Sequence, residues 1–561
     1  MKRQDITRCP AAVLATAACI VMAVLGMSLP AWAMTGFEKE KIPPRMEGEG
    51  HFQRLVLRGG YLLDGTGAPA QGPVDIVIEN DRITEVRNVG RPGVPINPAV
   101  RPAKGDREID VHGKFILPGL INSHAHIHGG NWPSGVSLEY MFKLWLAHGI
   151  TTVRTVGGSG EDWGIKLREM SNRNEVAAPR FLINPIFDFK AEDSVWPLGA
   201  YNTPKEARKR IRDLKKKGAD GVKFLGASEE VLFAALDEAE KIGLHTTMHH
   251  AQVDVIDANV LDTSARGLDA MEHWYGLPEA MFEDKVIQDY PKNYIYNNEQ
   301  DRFGQAGRLW KQAAKPGSET WNNTIATLIE RDFVLSPTLV IYSPNRDVKR
   351  AMRLEWHDEY TTPNLWNFYR PSRYAHASNW FDWTPEDEIE WKNNFKIWMQ
   401  FLNDYKNKGG KVAIGTDAGY GYITYGFAMV QEMEMMQEAG FHPLEVIRSA
   451  TKIGAELAGM SKDIGTVEVG KKADLLVVDE NPVHNLKVLY GTGTFRLNDD
   501  LGRIESIGGV RWTIKDGIVY DAKQLLEDVR QIVRKEKQEA GLDPDRPMPI
   551  IDPTQKAVEV H

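Results

Sequence analysis

The sequence predicts an α/β fold: a parallel (β/α)8 barrel inserted in a small β-sandwich that both terminal segments build. Three observations predict it. From Pro118 onward short apolar runs alternate with amphipathic stretches, the rhythm of strand–helix units around a parallel sheet. Eight such runs fall within some 300 residues, a length one barrel accommodates. Segments with strand-like alternation precede and follow that region, and one small β domain interrupted by the barrel is the simplest use of both.

The first 33 residues stand apart. Lys2, Arg3 and Arg8 precede an apolar run, and Ala31-Trp32-Ala33 puts small residues at −3 and −1 of a cleavage site. This is the pattern of a secretory signal peptide, with an uncleaved anchor as the alternative. The segment holds both cysteines, Cys9 and Cys19, so the mature chain would have no disulfide and would bind metal only through N and O ligands. A periplasmic or secreted location follows. No second run reaches the ~18 apolar residues of a membrane helix, so no stable membrane insertion is expected after cleavage. The formal charge is −9, an acidic balance that speaks against nucleic-acid binding.

The N-terminal part of the sandwich is expected over residues 34–117, with strands at 55–60 and 74–78 and extended structure over 107–117. The barrel is expected over residues 118–458. Its strand candidates are residues 120–122, 151–155, 181–185, 221–225, 245–249, 270–272, 333–339 and 412–415, and helical stretches lie at 205–217, 229–242 and 253–266. Nine of the 15 tryptophans fall between Trp274 and Trp398, which marks about 274–400 as an elaboration of the barrel. Its aromatic residues read as the core of that insertion, or as a lid over an apolar substrate. Residues 459–521 return to β character and complete the sandwich, and residues 522–561 form a helix and a tail.

The chemistry gathers at strand ends. In His124-Ala125-His126 both imidazoles sit on one face of a strand and can reach one metal. His128 extends the alternation by one step and belongs farther out. Lys223 interrupts a β run, His249-His250 ends the next strand, Glu272-His273 the one after, and Gly415-Thr416-Asp417-Ala418 the last. A lone His-X-His pair occurs in many ordinary strands. Five strand ends that all supply N or O ligands, at the end of a barrel where active sites form, do not.

These residues carry a resemblance. Pro118-Gly119-Leu120-Ile121-Asn122-Ser123-His124-Ala125-His126 is similar to the first-strand motif of the amidohydrolase superfamily. Gly149-Ile150-Thr151-Thr152-Val153-Arg154, Glu272-His273 and Gly415-Thr416-Asp417-Ala418 resemble its later motifs, and Gly465-Thr466 with Gly470-Lys471-Lys472-Ala473-Asp474-Leu475 its return to the sandwich. The lysine on the fourth strand resembles the branch of binuclear dipeptidases and prolidases. The resemblance implies two divalent metal ions, expected to be zinc, and carbon dioxide held as a carbamate on Lys223. It implies that His124, His126 and Asp417 bind one ion, that His250 and His273 bind the other, and that Lys223 bridges them. A free ammonium has no lone pair for a metal, whereas a carbamate presents two oxygens. A hydroxide shared by the ions would attack the substrate, with Asp417 moving its proton to the leaving amine.

Two departures qualify the match. Thr155 stands where many relatives have an acidic residue. At His249-His250 the family pattern of ligand followed by Ala favours His250, but strand alternation argues the other way, because Leu244, Thr246 and Met248 share its parity. A bulge would reconcile the two.

The expected activity is hydrolysis of a carbon–nitrogen bond in a small-molecule amide, peptide-like or N-acyl amino acid substrate; a homo-oligomer is compatible with it. A lactonase or phosphotriesterase could use the same site. A deaminase would need a Glu soon after the fifth-strand histidine, where this chain reads Ala-Gln-Val-Asp-Val. A binding protein that kept the fold would not need the full ligand set. Tyr275 follows His273 closely enough to donate to an oxyanion, and Arg154 and Arg346 are the cations considered for a substrate carboxylate.

Overall fold

In the computed structural model, residues 40–129, 134–187, 201–296, 298–372 and 379–549 are described. The expected signal peptide and residues 550–561 of the tail lie outside them. The chain enters through β1 (Leu55–Leu62), β2 (Gln71–Glu79) and β3 (Arg82–Asn88), followed by β4 (Arg107–Asp110) and β5 (Phe115–Pro118). Eight strands then alternate mainly with helices: β6 (Leu120–Ala125), β7 (Ile150–Val156), β8 (Arg180–Asn184), β9 (Gly221–Phe224), β10 (His245–Met248), β11 (Ala270–Glu272), β12 (Val334–Ser336) and β13 (Lys411–Val412). The return comprises β14 (Leu475–Val478), β15 (Thr494–Asn498), β16 (Arg503–Ile507), β17 (Val510–Lys515) and β18 (Ile518–Asp521).

The two ends of the chain meet in one sheet of order β18-β17-β14-β5-β1-β2-β3, with β4 added to β1. The seam is antiparallel, with Leu476 opposite Leu117 and Val477 opposite Ile116. Leu55, Leu57, Ile76, Ile116, Leu475, Val477 and Ile514 pack into one apolar core, which is why residues so far apart in sequence share a domain. The expected sandwich is thus represented by a single eight-stranded sheet, beside which β15 and β16 pair only with each other.

The inner strands are parallel throughout, in two runs, β6-β7-β8 and β9-β10-β11-β12-β13. All are buried almost end to end, as parallel strands covered on both faces must be. Backbone bonds also join the runs. Phe187 N donates to Lys223 O at 2.7 Å, and Ser123 N donates to Ile414 O at 2.8 Å. Gly415 permits the second approach, because a Cβ there would lie 2.6 Å from the Cβ of His124.

Two connecting helices form where the sequence placed them. The helix Pro204–Lys217 is capped by Thr203 and ends on left-handed Gly218, and Glu229–Ile242 ends on left-handed Gly243. The amphipathic stretch at 253–266 yields only a short helix, Val260–Ser264, because Asn259 and Asp262 form a capping box that starts it there. Residues upstream turn instead, with Asp254 N bonded to Ala251 O and Asp257 N to Asp254 O.

In the insertion Trp274, Trp310, Trp321, Trp391 and Trp398 are fully buried, and Trp274 packs on Trp398 at 5.6 Å and Trp310 on Trp321 at 6.1 Å between ring centroids. The aromatic residues therefore form the insertion's own core. At the opposite end of the strands, buried Arg180 pairs with both Asp474 and Asp516 and fastens the start of β8 to the terminal sheet. That leaves the C-terminal strand ends for chemistry.

Candidate active site

Five strand ends deliver side chains to one place. His124 Nε2 lies 3.5 Å and His126 Nε2 3.0 Å from Asp417 Oδ1, and His273 Nε2 lies 3.8 Å from Asp417 Oδ2. The ligand atoms of His124, His126 and Asp417 all fall within 4.8 Å of one another, a grouping that could hold a metal ion. His273 and Asp417 both adopt left-handed backbone conformations, with φ of 63° and 52°. Such strain at non-glycine residues persists only where the surroundings impose it, and here it turns both side chains inward. Asp417 N donates to His124 O at 2.9 Å, which ties the last strand end to the first.

Each imbedded imidazole is oriented by a partner on its other nitrogen. His124 Nδ1 is 2.7 Å from Glu272 Oε2, His126 Nδ1 is 3.3 Å from Gly157 O, and His273 Nδ1 is 2.6 Å from Thr338 Oγ1. In all three the Nε2 is left facing Asp417, the arrangement a metal-ligating histidine requires.

The expectation of His250 is corrected by geometry. His250 Nε2 bonds Thr263 Oγ1 at 2.9 Å, away from the cluster, whereas the His249 ring packs 4.7 Å from His273 and 5.3 Å from Tyr275. Thr247 points inward too, its hydroxyl donating to Glu272 at 2.5 Å. The ladder stays in register as far as His249, whose N donates to Phe224 O, so alternation carries on from Thr247 to His249; the register slips only beyond it, where Ala251 N donates to Leu225 O.

Lys223 is buried at 2% exposure, and its Nζ has no hydrogen bond or ion pair among the described residues. Burial lowers its ammonium to about 8, although Glu272 and Asp417 pull the other way. Burial pushes the Asp417 carboxyl up, but the positive charge that His124, His126 and His273 carry when protonated outweighs it and holds it below the usual carboxylate range. Glu272 is likewise held low: burial is outweighed by His124 and Arg154. Burial lowers His124, His249 and His273, so that their imidazoles are neutral and offer lone pairs. The donor set of neutral imidazoles, one carboxylate and an unpaired buried amine fits divalent ions and a carbamate.

The cations considered for a substrate carboxylate are engaged elsewhere. Arg154 donates to Glu272 at 2.8 Å and to Ser123 O at 3.1 Å, and Arg346 forms a two-pronged pair with Glu438, each bond 2.7 Å. Tyr275 is buried with its hydroxyl paired to that of Tyr342, and burial pushes its pKa up. Thr155 donates to Leu182 O at 3.1 Å and lies outside the ligand cluster. His128 stacks on His126 at 5.6 Å and bonds the Tyr425 hydroxyl at 2.7 Å. Sequence reasoning missed the supporting parts played by Glu272, Thr247 and Thr338. Only Glu272 had a visible signal, as a carboxylate adjoining His273 in an otherwise apolar strand.

The fold and this site define a class. The profile of the amidohydrolase family matches residues 115–288 and 398–519, more than half of the chain, and the protein belongs to that family. Among curated relatives, a dihydroorotase of Geobacter metallireducens is 23% identical over 218 residues, 37% of this chain and 45% of the relative. An N-acyl-D-glutamate deacylase of Alcaligenes xylosoxydans xylosoxydans is 31% identical over 72 residues, 13% of this chain and 12% of that one. The chain thus spans half or less of the length of these two relatives. A solved Xaa-Pro dipeptidase with bound methionine superimposes with a TM-score of 0.55 at 20% identity, covering 83% of this chain and all of that one. Bottromycin amidohydrolase superimposes with a TM-score of 0.59 at 18% identity, covering 88% and 92%. These likenesses show the fold, a TIM barrel of mixed α/β content.

Proposed function

We propose that the protein is an exported, metal-dependent hydrolase that cleaves an amide bond in a peptide-like or N-acyl amino acid substrate. The observation that carries the reading is the convergence of His124, His126, His273 and Asp417, with His249 alongside, around a buried lysine that has no counter-charge bonded to it. The names of relatives in the family support an amide over an ester, since they include an N-acyl-D-glutamate deacylase and an Xaa-Pro dipeptidase. In this reading residues 118–458 are a closed (β/α)8 barrel, and residues 34–117 and 459–521 build the small β domain beside it. Residues 1–33 direct the chain to the periplasm or beyond.

His124, His126 and Asp417 would hold one divalent ion and His249 and His273 a second, with zinc suited to such ligands. Lys223 would join the two sets. With a pKa near 8 its neutral amine is accessible, and its nitrogen lone pair adds carbon dioxide with loss of one proton to give a carbamate with two donor oxygens. Bound divalent ions supply Lewis acidity, which lowers the pKa of water towards neutrality.

The remaining work falls to the chain's own groups. Glu272, Gly157 O and Thr338 keep the three imidazoles turned with Nε2 inward. Asp417 accepts the proton of the attacking water on a carboxylate oxygen and returns it to the departing amine nitrogen. Tyr275, kept protonated by its raised pKa, donates its O–H to the oxygen on which negative charge develops.

Two measurements test the reading. Metal-reconstituted enzyme is offered N-acyl amino acids and dipeptides beside lactones and phosphotriesters, and faster turnover of the amides is expected. Asp417→Asn should lose about 10²–10⁴-fold in kcat on an amide, and less on a substrate whose leaving group needs no proton. Near-normal amide turnover with metal retained would contradict the assignment.

A further inference from the structure

Glu432 is a buried carboxyl group outside the ligand cluster, with no cation beside it among the described residues. Glu432 sits in the helix Phe427–Glu438 among Met429, Val430, Met433 and Met436, with 0% exposure. Burial raises its pKa to about 8, and a carboxyl group in such surroundings is costly unless its oxygens are used. They are used on another element. Oε1 accepts from Leu339 N at 2.9 Å and Oε2 from Val340 N at 2.6 Å, the first two N–H groups of the helix Leu339–Arg346.

Helix starts are ordinarily capped by the residue before them. Here that residue is Thr338, and it makes no cap bond, because it is left-handed, with φ 51° and ψ 46°. Its hydroxyl goes to His273 Nδ1 instead, at 2.6 Å. The two facts are connected. A threonine that caps its own helix could not present Oγ1 to His273, and a helix start without a cap would leave buried N–H groups unpaired. The Glu432 carboxyl oxygens take over the capping, and this frees Thr338 to hold the imidazole.

We infer that Glu432 is a positioning residue for the metal site: by capping the helix Leu339–Arg346 it fixes Thr338 in the conformation that aims His273 Nε2 at the site. The inference rests on the metal-centre reading above. It acts through a chain of contacts, Glu432 to Leu339 and Val340, to Thr338, to His273, and Glu432 itself touches neither metal nor substrate.

The test measures zinc affinity of the full-length protein by competition with a chelator, and the visible spectrum of the cobalt-substituted protein. Removing an outer partner of a ligating histidine typically weakens metal binding by about 10–100-fold, and Glu432→Ala and Thr338→Val should each do so. Because the two act in series, the double variant should bind zinc no more weakly than the more affected single variant. Thr338→Ser, which keeps the hydroxyl, should restore both affinity and spectrum. Glu432→Gln keeps the shape but sets an amide N–H₂ against one backbone donor, so it should weaken zinc in the same direction, and it serves where Glu432→Ala does not fold. A lowered melting temperature with wild-type zinc affinity and cobalt spectrum, in whichever Glu432 variant folds, would overturn the inference. Failure of the wild-type protein to take up zinc or cobalt would overturn the metal-centre reading itself.

Discussion

His124 and Glu272, 148 positions apart in the chain, meet at 2.7 Å in the buried centre of the site, and the contact turns His124 Nε2 towards Asp417. Glu272 also accepts from Arg154 and Thr247, so one carboxylate from the sixth inner strand fixes side chains from the first, second and fifth. Glu272→Gln keeps the volume and one acceptor but cannot satisfy three donors. It should weaken metal binding by about 10–100-fold while the protein still folds. Glu272→Ala leaves the Arg154 guanidinium buried without its counter-charge and should cost about 3–5 kcal/mol of stability. Chelator competition and denaturant unfolding separate the two effects. Unchanged zinc affinity in a folded Glu272→Gln would show that His124 does not depend on this contact.

The adjacent histidines of the fifth inner strand make opposite predictions. His249→Ala should lower metal content and activity with little change in fold, because its ring faces His273 and Tyr275. His250→Ala should leave metal content near wild type and cost stability instead, through the lost bond to Thr263 and the cavity it opens. Elemental analysis of both purified variants decides it. Metal lost from His250→Ala and kept in His249→Ala would reverse the assignment.

Acid should destabilise the protein through two histidines remote from the ligand cluster. Burial holds His148 and His357 down to about 4 each, and both are bonded within the fold, His148 Nδ1 to Leu144 O and His357 Nε2 to Ala351 O, at 2.8 Å. Their pKa values are lower folded than unfolded, so the unfolded chain binds more protons between the ordinary histidine value of about 6.5 and 4. Stability is therefore fullest above about 6.5 and is lost as pH falls to 4, by up to ~3 kcal/mol for each histidine. Urea unfolding at a series of pH values should show this loss, and His148→Gln or His357→Gln should each flatten the slope by about one proton. An unaltered slope in both variants would refute it.

Much of the inner strand set was legible because parallel strands buried on both faces read as short apolar runs, as at 151–155 and 221–225. Strand ends were legible for the same reason: polar residues such as Lys223 and Asp417 break those runs. His249 was legible in principle, since Thr247 and His249 share a parity opposite to that of Leu244, Thr246 and Met248, and the resemblance to relatives outweighed that signal. Contacts between distant strands were not legible. Nothing in the spacing of His124 and Glu272, or of Thr338 and His273, says that they meet. The short helix Val260–Ser264 shows a different limit, for an apolar rhythm over 253–266 is cut by a capping pair at Asn259 and Asp262. Glu432 was hidden by its setting, since Glu434 and Glu438 share its methionine-rich helix and nothing in the pattern sets it apart from them.

The central claim is a binuclear centre organised by Lys223, and the most direct measurement is the number of divalent ions per chain in wild type and in Lys223→Ala, read by elemental analysis beside activity. Close to two ions are predicted for the wild-type protein. Lys223→Ala should hold fewer and lose activity, and short carboxylic acids should restore part of it by standing in for the missing carbamate. Full metal occupancy with full activity in Lys223→Ala would contradict the account.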